Sequence, residues 1–175
     1  MIYTHLEKTD FGVLAFLIKN IYKEYSIKEI ADELKRPYVK IHSSIKRLSK
    51  QGIVNELIKG KSHYCSINYK ENIEVVCFIE YQIAKEFLDK NKTIKLIIED
   101  INSNIKILDY TLLLFGSYAK GNSDKYSDID IMIISSDKDK EKTERAINSV
   151  KSTLYSNIHS LEFSYKEFIE MLKSK

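Results

Sequence analysis

Apolar positions along the first third of the chain recur at helical spacing and then give way to alternation. From Asp10 to Tyr22, Phe11, Leu14, Ala15, Leu17, Ile18 and Ile21 fall on one helical face. Ser26-Ile27-Lys28-Glu29 is a capping box that opens a short helix through Leu34. Lys35-Arg36-Pro37 is a turn, and Pro37 suits the first turn of the next helix. That third helix runs from about Tyr38 to Lys50, with Val39, Ile41, Ile45 and Leu48 as its apolar positions and Gly52 closing it. Ile53 to Ile58 and His63 to Ile67, joined by Lys59-Gly60-Lys61, form a β-hairpin with a basic tip.

A long helix follows from Glu71 to about Asn91. Ile73, Val76, Cys77, Ile83, Ala84, Phe87 and Leu88 share one broad face, and Val75, Phe78 and Ile79 widen it. A helix apolar over so much of its circumference is buried on two sides, so residues 71–91 either connect two domains or form a homodimer, and the dimer is preferred. A boundary falls at Asn91-Lys92-Thr93, before an amphipathic helix carrying Ile94, Leu96, Ile97, Ile98 and Ile101. Leu112 to Phe115 is a short buried strand with turn chemistry behind it, and a second strand begins near Asp130. A charged helix from Lys138 to Tyr155 with Ala146, Ile147, Val150 and Leu154, a strand from Ile158 to Ser164 and a helix from Tyr165 to Lys173 complete the chain. The pattern predicts an α/β (α+β) protein with domains at 1–70 and 92–175 around the 71–91 helix, the second holding a mixed sheet.

Charge divides these halves. Residues 1–70 carry 13 Lys or Arg against 7 Asp or Glu, a balance of +6, while residues 71–175 carry 15 against 18, a balance of −3, together the +3 of the whole chain. Lys35 to Lys61 holds eight basic residues and one acid, Glu56, so the positive field sits on the turn, third helix and hairpin and invites a polyanion. The 175 residues suit one large or two small domains. The two cysteines, Cys65 and Cys77, lack metal-ligand spacing and read as packed thiols, which suits a reducing cytoplasm. No apolar run reaches the length of a membrane span and the first residues lack a signal-peptide core, so a soluble cytoplasmic protein that does not engage the membrane is expected. His42 and His63 are too isolated to form a metal pair.

Helix, short capped helix, turn, longer helix and basic hairpin resemble a winged helix-turn-helix domain. The stretches Ser-Ile-Lys-Glu-Ile-Ala-Asp-Glu-Leu and Val-Lys-Ile-His-Ser-Ser-Ile-Lys-Arg-Leu-Ser-Lys-Gln-Gly-Ile-Val carry that resemblance. It implies a third helix that enters the major groove of double-stranded DNA. Arg36, Tyr38, Lys40, His42, Ser43, Lys46 and Arg47 from the helix region, with Lys59 and Lys61 from the wing, are the DNA-binding candidates, most of them for phosphate. A solvated basic face on an interaction module is the plainer alternative.

The second half turns on Leu112 to Ile134. Gly116 lacks a Cβ, so the backbone can bend and admit a bulky anion, and Ser117 can cap a short helix over Tyr118 to Lys120 whose free amides attract phosphate. Asp128 and Asp130 lie two apart at the mouth of the strand and leave one face, while Ile129, Ile131 and Ile133 point the other way. Their mutual repulsion is relieved by a hard divalent cation, and magnesium takes one or two carboxylates and completes its shell with water and substrate phosphate. Gly-Ser followed by Asp-x-Asp between apolar flanks resembles the signature of the DNA polymerase beta-like nucleotidyltransferase superfamily, in particular its minimal bacterial and archaeal members. The resemblance implies a nucleotide-binding set of Gly116, Ser117, Lys120 and Ser127. It also implies that Asp128 and Asp130 ligate Mg2+, two ions with nucleotide bound, and that Glu162 is the third catalytic acid and metal ligand on a neighbouring strand. Lys120 departs from the family's usual arginine, which replaces a bidentate phosphate contact by a point charge.

Two functions follow from these readings. One is an enzyme that moves a nucleoside monophosphate from a nucleoside triphosphate to an unknown acceptor, a protein among the candidates, with DNA bound by the first domain. The other is a transcription regulator whose nucleotidyltransferase-like domain binds nucleotide or a partner without turnover, or an antitoxin-like component that modifies a small helical toxin.

Overall fold

The computed structural model describes residues 6–60, 62–124, 126–153 and 157–174, which form two compact units, Met1–Lys90 and Asn91–Lys175. In the first unit the order is α1 (Lys8–Lys19), β1 (Tyr25–Ser26), α2 (Ile27–Glu33), α3 (Tyr38–Lys50), β2 (Val54–Lys59), β3 (Ser62–Ile67) and α4 (Ile73–Lys90). The three strands form an antiparallel sheet in the order β1-β3-β2, with Val54 opposite Ile67 and Tyr25 opposite Cys65. This is the winged helix-turn-helix arrangement that the pattern predicts.

Local chemistry accounts for the boundaries. Ser26 Oγ accepts from the Glu29 amide at 3.2 Å while Glu29 accepts from the Ser26 amide at 2.7 Å, the reciprocal box read from the sequence. The helix α3 ends where Gly52, at φ 72°, turns the chain left-handed. The Ile53 amide then donates to Leu48 O at 2.9 Å and the Gly52 amide to Ser49 O at 2.9 Å, which satisfies two orphan carbonyls and drops Ile53 into the core. That core is built from Val13, Leu14 and Leu17 of α1, Ile30 of α2 and Ile41, Ile45 and Leu48 of α3.

A buried polar cluster ties α1 to α3. Asp10 is 2% exposed. Its Oδ1 accepts from Ser44 Oγ at 2.5 Å and from the Arg47 guanidinium at 2.9 Å, and its Oδ2 accepts from the Glu7 amide at 3.0 Å. Arg47 also pairs with Glu7 at 2.9 Å.

Some apolar expectations are corrected. Val39 is 72% exposed, because it lies two residues and therefore about 200° around the helix from the buried Ile41. In α4 Val75 and Ile79 are buried in the core and Val76, Phe78 and Ile83 pack against it, whereas Ile73, Cys77 and Ala84 are exposed. Cys65 is a packed thiol, pushed up to about 12 by burial, but Cys77 is not packed. Leu154 and Tyr155 lie outside the described residues, and the helix there is Lys140–Thr153.

The second unit contains α5 (Lys92–Asn104), β4 (Tyr110–Phe115), α6 (Gly116–Lys120), β5 (Ile129–Ser135), α7 (the Lys140–Thr153 helix), β6 (Ile158–Ser164) and α8 (Tyr165–Lys173). Its sheet is mixed, in the order β4-β5-β6, with β4 antiparallel and β6 parallel to β5. Ile129, Ile131 and Ile133 occupy one buried face, α7 packs on β5 and β6, and α5 packs on α7 through a core that includes Ile94, Ile97 and Ile101. Leu96 points away from it. The opposite face carries Asp130, Met132, His159 and Leu161, all at least partly accessible.

Among the described residues, no helix is long and apolar enough to cross a membrane.

Candidate active site and nucleic-acid interface

The Gly116-Ser117 turn and the Asp-x-Asp pair meet at one end of the mixed sheet. β4 and β5 pair so that Phe115 stands opposite Asp130, which brings the start of α6 against the first residues of β5. Gly116 has φ 70°, and a Cβ placed on it would lie 1.9 Å from Asp130 Oδ2, 2.8 Å from Cγ and 3.2 Å from Cβ. Glycine is therefore needed twice over, for the left-handed backbone and for the carboxylate packed on it. The N-cap of α6 is Phe115 rather than Ser117, and no side chain caps it, so Ser117 stands inside the first turn. Amides of a first turn lack partners within their own helix. Lys120 ends α6 and is exposed.

Asp128 precedes β5 and is exposed, while Asp130 is its second residue, with a side chain 23% exposed. Ser127, expected at the nucleotide, is part of a turn: its hydroxyl donates to Asp124 Oδ1 at 3.0 Å and accepts from the Asp124 amide at 2.9 Å. The Tyr126 amide, followed by the Ser127 hydroxyl, holds the Asp124 carboxyl below the usual carboxylate range.

Glu162 does not join the aspartates. Parallel pairing sets it opposite Ile133, on the buried face, whereas Asp130 is on the other face opposite His159. One oxygen of Glu162 is buried there without a hydrogen-bond partner, and its charge contributes to the upward displacement of Lys140, whose first cause is the hydrogen bond to Glu167. The residue of β6 that does reach Asp130 is His159, with Nδ1 3.0 Å from Asp130 Oδ1. Among the described residues, no three acidic, histidine or cysteine side chains enclose a cation by themselves. Two carboxylates beside a glycine turn nevertheless have the hard-oxygen chemistry that magnesium uses when substrate phosphate completes its shell.

In the first unit, α3 presents Val39, Ser43, Lys46 and Lys50 along one exposed stripe, and Lys40 is exposed as well. Tyr38 stacks on His42 with ring centroids 5.9 Å apart. Arg36 is half-buried, and its amide donates to Ala31 O at 3.0 Å. Three of the basic candidates carry carboxylate partners. Lys46 binds Glu56 at 2.9 Å, Lys59 binds Glu24 at 2.5 Å and lies 5.2 Å from the Tyr64 ring centroid, and Arg47 is held by Asp10 and Glu7. Burial alone would raise the Glu56 carboxyl, but Lys46, Ser49 and His63 hold it below its usual value. Glu56 is only 12% exposed, so Lys46–Glu56 is not a surface pair, whereas the exposed Lys59–Glu24 pair contributes only about 0–1 kcal/mol and can exchange carboxylate for phosphate cheaply. The Arg47 pair has a buried partner and cannot. Arg47 is thus a strut of the fold, and Lys61 lies outside the described residues.

A family model described as a nucleotidyltransferase domain matches residues 92–174. No curated protein sequence matches the chain. Similar solved structures include the PcaV transcriptional regulator from Streptomyces coelicolor in complex with its natural ligand, at 15% identity and a TM-score of 0.43, covering 59% of this chain and 79% of that one. The heme sensor protein PefR from Streptococcus agalactiae in complex with heme is similar at 18% identity and a TM-score of 0.40, with 59% and 78% covered. MepR, a transcription regulator of the Staphylococcus aureus multidrug efflux pump MepA, is similar at 11% identity and a TM-score of 0.40, with 58% and 81% covered.

Proposed function

We propose that the protein is a DNA-binding nucleotidyltransferase, in which the second unit transfers a nucleoside monophosphate from a nucleoside triphosphate to an acceptor and the first unit binds duplex DNA. The observation that carries the transferase reading is the seat of Asp130 on Gly116, where a Cβ would come within 1.9 Å of the carboxylate. A carboxylate held against the glycine turn supports a reading in which cation and phosphate chemistry share one point. Asp128 and Asp130 would hold magnesium, which when bound neutralises phosphate charge and activates the acceptor hydroxyl. Gly116 leaves room for the Asp130 carboxylate, the first turn of α6 would offer amides to the phosphates, and Lys120 adds an exposed cation. The acceptor oxygen bonds to the α-phosphorus and pyrophosphate leaves.

The test is calorimetry of a nucleoside triphosphate with and without Mg2+. Binding is expected to be weak without the ion, and Asp128→Asn with Asp130→Asn removes the metal-dependent part; equal affinity in both proteins refutes the site. A non-catalytic regulator that senses nucleotide is the second reading, favoured by the position of Glu162 opposite Ile133, which leaves two carboxylates on the site face. Release of pyrophosphate in the presence of acceptor separates the two, since a sensor binds triphosphate and releases none.

A further inference from the structure

The helix α4 carries a second apolar stripe, on the side away from its own core. At about 100° per residue, Ile73, Cys77, Tyr81, Ala84 and Leu88 fall within about 80° of its circumference, and the buried Val75 and Ile79 stand about 180° from the middle of that arc. Ile73 is 55% and Tyr81 62% exposed, Cys77 and Ala84 are exposed, and Leu88 is half-buried. We propose that a second copy of this chain covers the stripe, the two α4 helices pairing as a parallel two-stranded coil.

Spacing and charge both select a copy of the same helix. Cys77, Tyr81, Ala84 and Leu88 follow one another at steps of four, three and four residues, which makes them heptad positions d, a, d and a, and Ile73 prolongs the stripe by one turn. Val75, Val76, Ile79 and Ile83, which serve the core of the unit, fall at b, c, f and c, so core and seam do not compete for a face. Glu80 and Lys85 occupy g and e, are exposed, and among the described residues are not ion-paired. In a parallel pair a g residue faces the e residue of the partner's next heptad, so Glu80 meets the partner's Lys85, and the two-fold axis forms that pair twice. An antiparallel pair would set Glu80 against its own copy, so charge fixes the direction. Identical residues then lie level, and the two Cys77 thiols face each other across the axis. Four helical turns make a small interface beside stable complexes, which bury about 1,200 Å² or more, so the pair exchanges with monomer and reagents reach Cys77 there. Two-fold pairing also gives two copies of α3 related by one axis, the symmetry of an inverted-repeat DNA site. That consequence rests on the DNA-binding reading above; the dimer does not.

The test is sedimentation velocity of the full chain at about 1–100 µM. A shift from monomer to dimer is expected, and Ala84→Arg, a change at an exposed position, is expected to stay monomeric with an unchanged melting temperature. Glu80→Lys is expected to weaken the dimer about fivefold or more, and Glu80→Lys with Lys85→Glu to restore it. Diamide, which takes up the two electrons and two protons of a thiol pair, is expected to link the subunits through Cys77, and Cys77→Ser to abolish the link. A wild type that is monomeric throughout, a dimer that survives Ala84→Arg, or a dimer that the charge swap does not restore overturns the proposal. Each of these leaves the transferase and DNA readings standing.

Discussion

Replacing Gly116 by alanine tests the geometry on which the candidate site depends. Two costs add. A residue with a Cβ at φ 70° pays about 1–2 kcal/mol for the left-handed backbone. The new methyl would also lie 1.9 Å from Asp130 Oδ2, and rotating the carboxylate away does not suffice, because Asp130 Cβ itself is 3.2 Å off. The turn or the start of β5 must shift, so the total is about 2–4 kcal/mol, by analogy with overpacked sites. For a unit of this size that lowers the melting temperature on the order of 10–20 °C without unfolding it at room temperature. Displacing Asp130 is expected to weaken Mg2+-dependent triphosphate binding about tenfold or more. Gly121→Ala is the control, because Gly121 has φ 73° with nothing within 4 Å of its Cβ position. It pays the backbone strain alone and keeps wild-type binding. Calorimetry and thermal melts of the three proteins decide the matter. A Gly116→Ala protein that binds triphosphate as the wild type does would refute the reasoning.

Three other outcomes follow from the first unit. Asp10→Ala strands Ser44 and Arg47 and is expected to cost about 2–4 kcal/mol in denaturant unfolding, and a loss below about 1 kcal/mol would show that the cluster is not structural. Lys46→Ala with Lys59→Ala is expected to lower the slope of log affinity for duplex DNA against log salt by about two contacts, measured by fluorescence anisotropy, with an unchanged slope removing these residues from the phosphate interface. Maleimide at neutral pH is expected to label Cys77 rapidly and to reach Cys65 only on unfolding, since burial keeps the Cys65 thiol protonated, so two rapid additions by intact mass would contradict the packing of β3.

What could be read from the chain was what is encoded locally. The Ser26–Glu29 box, the Gly52 stop and the alternation of Ile129, Ile131 and Ile133 each depend on residues within a few positions of one another, and each stands where the pattern puts it. The misplaced residues depend on partners distant in sequence. Arg47 reads as a DNA contact from its basic neighbours, but its carboxylate, Asp10, lies on another helix. In α4 the spacing of Ile73 and Cys77 equals that of Val75 and Ile79, so periodicity alone could not select the buried stripe. The acid of β6 shows the limit most sharply. Period-two alternation tells that His159 and Glu162, an odd number of residues apart, point to opposite faces, but which of them shares a face with Asp130 is set by the register between β5 and β6. A slip of one residue would have put Glu162 on the aspartate face and His159 in the core. Register here follows from burial: Ile158 is in the core beside Ile129, and with that pair fixed, His159 must meet Asp130. The acid offered as third ligand therefore lies on the apolar face, and the histidine three positions before it meets Asp130.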